Sequence, residues 1–198
     1  RRLNFYGGTC LHVIYGMNRL SEDLDFDNSV GLDLRQLAAD LPQYFQKVFG
    51  YAETTAKEQV GEGGIIRVTL KFPVLNTLGL SPHPSEALHL KVEVSQHHQT
   101  AVIHHTPLLI YGRSLVAAHF SLETMMAGKM IACLERNFER GSSRISIKGR
   151  DFYDLLWFMQ QKIRPMEEKL ANDGLKSYSL ASAMRMLDEK ISTINVTD

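Results

Sequence analysis

A chain of 198 residues with 44% apolar and 22% charged side chains has the composition of an ordinary globular protein able to bury a core, as one domain or one domain with a helical extension. Acidic and basic residues balance to a formal net charge of zero, so any affinity for nucleic acid or a membrane surface has to be local. No apolar run approaches the roughly 20 residues that span a bilayer and no signal-peptide core is present, so no membrane association is expected.

In chain order, Arg1-Arg2 leads straight into an apolar strand, Leu3–Tyr6, and an element preceding it is expected to be missing. The strand stops at Gly7-Gly8. Thr9 is placed to cap a helix over about Cys10 to Met17, with Leu11, Ile14 and Tyr15 on its apolar face. In Asp23-Leu24-Asp25-Phe26, an extended backbone puts both carboxylates on one face and Leu24 and Phe26 on the other. Helical spacing recurs over Leu32–Phe49, where Pro42 is expected to kink or split the helix. Ala52–Val60 reads as a polar edge strand, Gly61–Gly64 as a hairpin loop and Ile65–Phe72 as an alternating strand. After a connection bearing proline and glycine, Ala87–Ser95 alternates most clearly. Leu88, Leu90, Val92 and Val94 take one face; His89, Lys91, Glu93 and Ser95 take the other.

A histidine-rich loop follows, then short strands at Pro107–Tyr111 and Leu115–Ala118. Ser121 is read as the cap of a long helix reaching about Phe138, with Met125, Met126, Met130, Ile131 and Leu134 in its buried stripe. Arg150–Gln161 is another helix, Pro165 opens the next with Gly174 after it, and Leu180–Ile191 is the last. Strands first and helices later give an α+β fold, a mixed sheet with flanking helices followed by a helical C-terminal part. Cys10 and Cys133 lie in apolar helical stretches without ligand-spaced partners. They read as buried free thiols, which fits a reducing cytoplasm.

Three acidic side chains carry the chemistry. Asp23 and Asp25 share a strand face, and Glu93 projects from the polar face of another strand; if the two strands are neighbours, the three converge. Hard oxygen donors so arranged suit Mg²⁺ rather than zinc, and such a triad can polarise a phosphoryl oxygen and activate a hydroxyl. Gly7-Gly8-Thr9, between strand and helix, adds backbone amides able to bind phosphate. The plainer alternative is that the aspartates cap a turn and Glu93 is solvated. Lys129 borders a buried stripe and needs an anionic partner, or else snorkels from the helix edge. Asp151 and Asp154 lie three apart on one helix face; one is free to pair with Lys129 and the other to sit at the helix N-terminus as a charge favoured by the dipole.

Gly8-Thr9 followed by Asp23-Leu24-Asp25-Phe26 resembles the signature of the nucleotidyltransferase (polymerase-beta-like) superfamily, a glycine turn ahead of an Asp-x-Asp strand with a third carboxylate on a later strand. More narrowly, Arg19 and Ser21 ahead of Asp23 and Asp25 are similar to the AbiEii/AbiGii toxin family. Two later stretches extend the resemblance: MAGKMIACLER (Met126–Arg136), with its lysine at Lys129, and KGRDFYDLLWF (Lys148–Phe158), with Arg150, Asp151 and Asp154. The sequence departs from the family in lacking a helix before the first strand and in offering Glu93 where many superfamily members have Asp.

The resemblance implies a nucleotidyltransferase core over residues 1–118, without its N-terminal helix, and a C-terminal helical bundle over 119–198 that completes the active-site cleft. It implies an enzyme dependent on Mg²⁺, or Mn²⁺ in its place, that moves an NMP from an NTP to an acceptor such as tRNA or another RNA. The setting would be cytoplasmic, as the toxin of an abortive-infection or type IV toxin–antitoxin pair with a cognate antitoxin. Asp23, Asp25 and Glu93 are the implied metal ligands, and with Lys129 and Asp151 the catalytic set, Asp154 standing second to Asp151. Gly7, Gly8, Thr9 and Lys129 are the implied phosphate ligands. Arg19 and Ser21 either join them or pin the loop before the Asp strand.

Two other readings remain open: a non-catalytic nucleotide- or protein-binding module of the same fold, and a transferase acting on a small molecule such as an aminoglycoside. Between Lys129 and Arg150, six cations (Lys129, Arg136, Arg140, Arg144, Lys148, Arg150) face two glutamates, with a loop expected at Gly141-Ser142-Ser143. That basic stretch favours RNA, and a solvated helix end explains it almost as well. The pairs His97-His98 and His104-His105 lack partners at zinc-ligand spacing and read as surface histidines.

Overall fold

The computed structural model describes residues 3–61, 64–96, 99–136, 138–140, 143–145 and 149–192, with 138–140 and 143–145 described for their backbone. Arg1-Arg2, His97-His98, Gly141-Ser142 and Lys148, and the side chains of Arg140 and Arg144, lie outside what is described. The order of elements is β1 (Asn4–Tyr6), α1 (Gly7–Tyr15), β2 (Asp23–Asp27), α2 (Leu37–Phe49), β3 (Thr55–Val60), β4 (Ile66–Phe72), β5 (Leu88–Ser95), β6 (Ile103–Ile110) and β7 (Arg113–Phe120). Then come α3 (Leu122–Glu135), β8 (Phe138–Arg140), β9 (Ser143–Ile145), α4 (Gly149–Gln160), α5 (Glu167–Asn172) and α6 (Leu180–Ser192). The chain divides into two compact units, Arg1–His98 with His105–His119, and Gln99–His104 with Phe120–Asp198.

The first unit is built on a mixed sheet of seven strands among the described residues, in the order β3-β4-β5-β2-β1-β7-β6. β2 runs parallel to β5 and antiparallel to β1; β3, β4 and β5 are antiparallel neighbours. The apolar halves of the alternating strands fall on one side, where Val68, Val92 and Val94 join Leu34, with Leu24, Phe26, Leu37, Ala38 and Leu41 packed against them. Val68 and Val94 are wholly buried, each contributing about 1.5–3 kcal/mol. The helix predicted from Leu32 begins only at Leu37. Before it, the Asn28 side chain bonds both the amide and the carbonyl of Leu32, and Asp33 takes the Arg35 amide, so side chains hold this stretch as a loop. Pro42 neither splits α2 nor ends it.

Other expectations need correcting. His104 and His105 lie within β6 rather than in a loop, and β6 and β7 are each eight residues long. Tyr111 and Gly112 join them, both with positive φ, as a tight two-residue hairpin turn requires.

In the second unit Ser121 does cap α3, its hydroxyl accepting from the Thr124 amide. The helix stops at Glu135, and the short β8–β9 pair follows, so this part is not purely helical. Met125, Met126, Ala127, Met130 and Ile131 are buried on α3, alongside Leu155 and Phe158 of α4, Leu170 of α5, and Ala183 and Leu187 of α6. Glu135 accepts from the Tyr178 hydroxyl at 3.0 Å, and Lys190 on α6 donates to the Cys133 carbonyl at the end of α3. Both cysteines are buried free thiols, each pushed up to about 12 chiefly by desolvation. Among the described residues no helix is long and apolar enough to cross a membrane.

Candidate active site

β2 is the strand that gathers the carboxylates. Its register sets Asp25 between Tyr6 of β1 and Glu93 of β5, and Asp23 beside Lys91. Paired residues share a face, so Asp23, Asp25, Lys91 and Glu93 project together while Leu24 and Phe26 turn with Val92 and Val94 into the core. β2 and β5 thus stand as neighbours, with Asp25 and Glu93 side by side.

The entry to α1 sits against the same carboxylates. Gly7 has φ +79°, which lets the chain pass from β1 into α1 without an intervening loop. A Cβ on Gly7 would collide with the Asp25 carboxylate, 2.9 Å from its Cγ. A Cβ on Gly8 would lie 2.7 Å from an Arg19 guanidinium nitrogen and 2.8 Å from the Ser21 hydroxyl. The two glycines therefore admit two groups of side chains to the first turn of the helix, Asp25 on one side and Arg19 with Ser21 on the other. Thr9 is not the cap. The helix begins at Gly7 with Tyr6 in the capping position and no side-chain cap, and the Thr9 hydroxyl instead donates to the Asp23 carbonyl at 2.5 Å. No acidic residue occupies the first turn of α1. Its positive end faces the Asp25 charge, and its leading amides suit an anion.

The charges here are incompletely matched. Asp23 Oδ1 is buried without a hydrogen-bond partner, with Lys91 Nζ 3.8 Å away. Glu93, by contrast, is engaged by Arg67 of β4 at 2.5 Å, and that carboxylate holds the guanidinium above its ordinary pKa. Arg67 was missed in the sequence. The alternation of β4 puts it on the polar face, and only the β4–β5 register sets it opposite Glu93. Among the described residues no group of three His, Cys, Asp or Glu side chains is arranged to hold a metal ion. The donor chemistry of Asp23 and Asp25 and the orphaned Asp23 oxygen fit a hard divalent cation; Glu93 fits as a third ligand once it exchanges Arg67 for that cation.

A family model described as nucleotidyl transferase AbiEii toxin, Type IV TA system, matches residues 1–195. The chain belongs to the AbiEii family. A comparison with curated proteins finds no match.

The stretches of this AbiEii chain that lie in the second unit form a separate cluster. Lys129 of α3 donates to Asp151 Oδ1 at 2.7 Å and stands 2.9 Å from Asp154 Oδ2, both on α4. Arg136 NH1 lies 3.4 Å from the other Asp151 oxygen. The two carboxylates are buried, Asp154 completely, and Lys129 is 18% exposed. The sequence reading gave one of the aspartates to Lys129 and left the other to the helix dipole; the lysine takes both. A buried ammonium between two carboxylates satisfies the demand that burial makes on all three.

Of the predicted phosphate and metal residues, Gly7, Gly8, Thr9, Arg19, Ser21, Asp23, Asp25 and Glu93 all belong to the first unit, and Lys129, Asp151 and Asp154 to the second. Exposed His104 and His105 join no cluster of metal-binding side chains among the described residues.

Proposed function

We propose that this AbiEii nucleotidyltransferase is Mg²⁺-dependent, moves a nucleoside monophosphate from an NTP to an acceptor on RNA, and acts as the toxin of its pair. The acceptor hydroxyl forms a bond to the α-phosphorus, the bond to the β-phosphate oxygen breaks, and pyrophosphate leaves. The observation that carries the reading is the placement of Asp23 and Asp25 on one face of β2, with one buried Asp23 oxygen lacking a hydrogen bond and the first turn of α1 beside Asp25.

In this reading Asp23, Asp25 and Glu93 hold Mg²⁺, which when bound supplies charge stabilisation for the transferring phosphoryl group. The amides of Gly7, Gly8 and Thr9 receive the phosphates, and Arg19, held beside Gly8, adds a cation to them. Ser21 positions Arg19. Lys129, held by Asp151 and Asp154, is read as the centre of the second unit, and α3 to α6 are read as a bundle built around that cluster. The proposed setting is intracellular, with a cognate antitoxin as the partner implied by the family.

Incubation with labelled NTPs, Mg²⁺ and total RNA tests the reading. Label should pass to RNA with the wild type, at least 100-fold less with Asp25→Ala, and not at all in EDTA. Transfer by Asp25→Ala at the wild-type rate would falsify it. Label appearing on an added aminoglycoside instead of RNA would support the small-molecule reading.

A further inference from the structure

The carboxylate face of the sheet continues beyond β5 onto β4 and β3, and its charge changes sign there. The register aligns Lys57 with Thr69, Lys91 and Asp23 in one row across the four strands, Gln59 with Arg67, Glu93 and Asp25 in the next, and Thr55 with Lys71 and His89 in a third. Over β3, β4 and β5 this face therefore bears Lys57, Lys71, Lys91 and Arg67 against one acid, Glu93, which Arg67 already engages. Glu58 lies on the opposite face and Glu53 before the strand. Lys57, Lys71, Lys91 and His89 are all exposed, and Lys57 and Lys71 make no ion pair among the described residues.

Two ordinary explanations fall short. Lysines protect edge strands from pairing, and Lys57 on edge strand β3 is accounted for that way. Lys71 and Lys91 are on interior strands, where there is no edge to protect. A merely solvated face favours opposite charges across strands, which holds for Lys91 opposite Asp23 and Arg67 opposite Glu93, but Lys71 stands opposite Thr55 and His89, and Lys57 opposite Thr69. With strands about 4.8 Å apart and diagonal neighbours about 7–8 Å apart, the ammonium groups form a cationic field on the same face as the Asp23–Asp25 pair. In a chain of zero net charge this is a local concentration.

We propose that the polar face of β3–β5 is the docking surface for the phosphodiester backbone of the acceptor RNA, leading it toward the carboxylates of β2. Naming the docked polyanion as acceptor rests on the function proposed above; the cationic face itself does not. Backbone phosphates engaged by Lys57, Lys71 and Lys91 release counterions, and each such contact adds about 0.7 to the slope of log K against log salt for a single strand.

The test is fluorescence anisotropy of a labelled oligouridylate in EDTA without NTP, so that binding is read apart from catalysis. The double variant Lys57→Glu with Lys71→Glu should bind at least tenfold more weakly with a shallower salt slope, while Glu58→Gln, on the opposite face of β3, binds like wild type. Thermal melting checks that the double variant is folded; if it is not, Lys57→Gln with Lys71→Gln replaces it, with a loss of threefold or more expected. Unchanged affinity and slope in a folded variant overturn the proposal, and competition by polyglutamate as strong as by RNA overturns the assignment to nucleic acid. A wild type that binds oligouridylate yet transfers no label refutes the catalytic reading and leaves the docking face standing.

Discussion

On β2 the Asp23 carboxylate keeps one buried oxygen without a hydrogen bond, whereas on α4 Asp151 and Asp154 are buried more deeply and close on one ammonium. Both places bring acids out of water and both meet cations of the chain, but Lys91 stays 3.8 Å from the open Asp23 oxygen, whereas Lys129 closes on Asp151 and Asp154 at 2.7 and 2.9 Å. An internally satisfied cluster strongly resists the removal of one member, because the survivors are left charged and dry. An unsatisfied one is relieved by whatever cation arrives. The contrast sets a cluster closed on its own charges against one that leaves a buried carboxylate oxygen open.

The comparison breaks most visibly at Lys129. Lys129→Met should cost about 3–5 kcal/mol in denaturant unfolding, since it strands two buried carboxylates; a loss below 1 kcal/mol would refute the paired-cluster description. Gly7→Ala comes next. Its left-handed backbone alone costs about 1–2 kcal/mol, and the added methyl collides with Asp25. Unfolding should register that loss, and label transfer should fall with it.

Asp23→Asn should instead move stability by less than about 1 kcal/mol, since it loses only the long, partly exposed pair with Lys91 while an oxygen buried without a hydrogen bond ceases to carry charge. With the metal site read as above, Mg²⁺ should raise the melting temperature of the wild type, by an amount set by the ratio of Mg²⁺ to its dissociation constant, and the same variant should lose that rise. A melting temperature that responds equally to Mg²⁺ in both proteins would remove Asp23 from the metal site. Arg67→Ala sharpens the comparison with the smallest effect. The pair it breaks with Glu93 is partly exposed, so stability should move by less than about 1 kcal/mol. Freeing Glu93 should shift the Mg²⁺ melting response to lower concentration; a shift to higher concentration would mean that Arg67 orients Glu93 rather than competes for it.

The shared sheet face of Asp23, Asp25 and Glu93 was legible in sequence because strand alternation has a period of two, and a face can be assigned by counting. β3, β4 and β5 were legible for the same reason. Arg67 was not, because its partner is fixed by register between strands and no count along β4 reveals which residue stands opposite. The joint hold of Lys129 on Asp151 and Asp154 escaped because it depends on how α3 meets α4, although the spacing of three did place both acids on one face. Thr9 was misread for a local reason. Its residue type fits a cap, but the positive φ of Gly7 starts the helix three residues earlier, and the hydroxyl goes to the Asp23 carbonyl instead. The strand character of His104 and His105 was hidden by their polarity, which suits the exposed face of β6.

The parallel pairing of β2 with β5 carries a consequence for the timing of synthesis. β2 is followed by α2 and the β3–β4 hairpin before β5 appears in the chain, so Asp25 has no Glu93 beside it until that whole crossover has been made and threaded. Pairings of such long sequence separation are slow to close, and domains tend to fold as units while they emerge. A nascent chain that ends before Glu93 therefore carries the glycine turn and both aspartates but not the assembled carboxylate row.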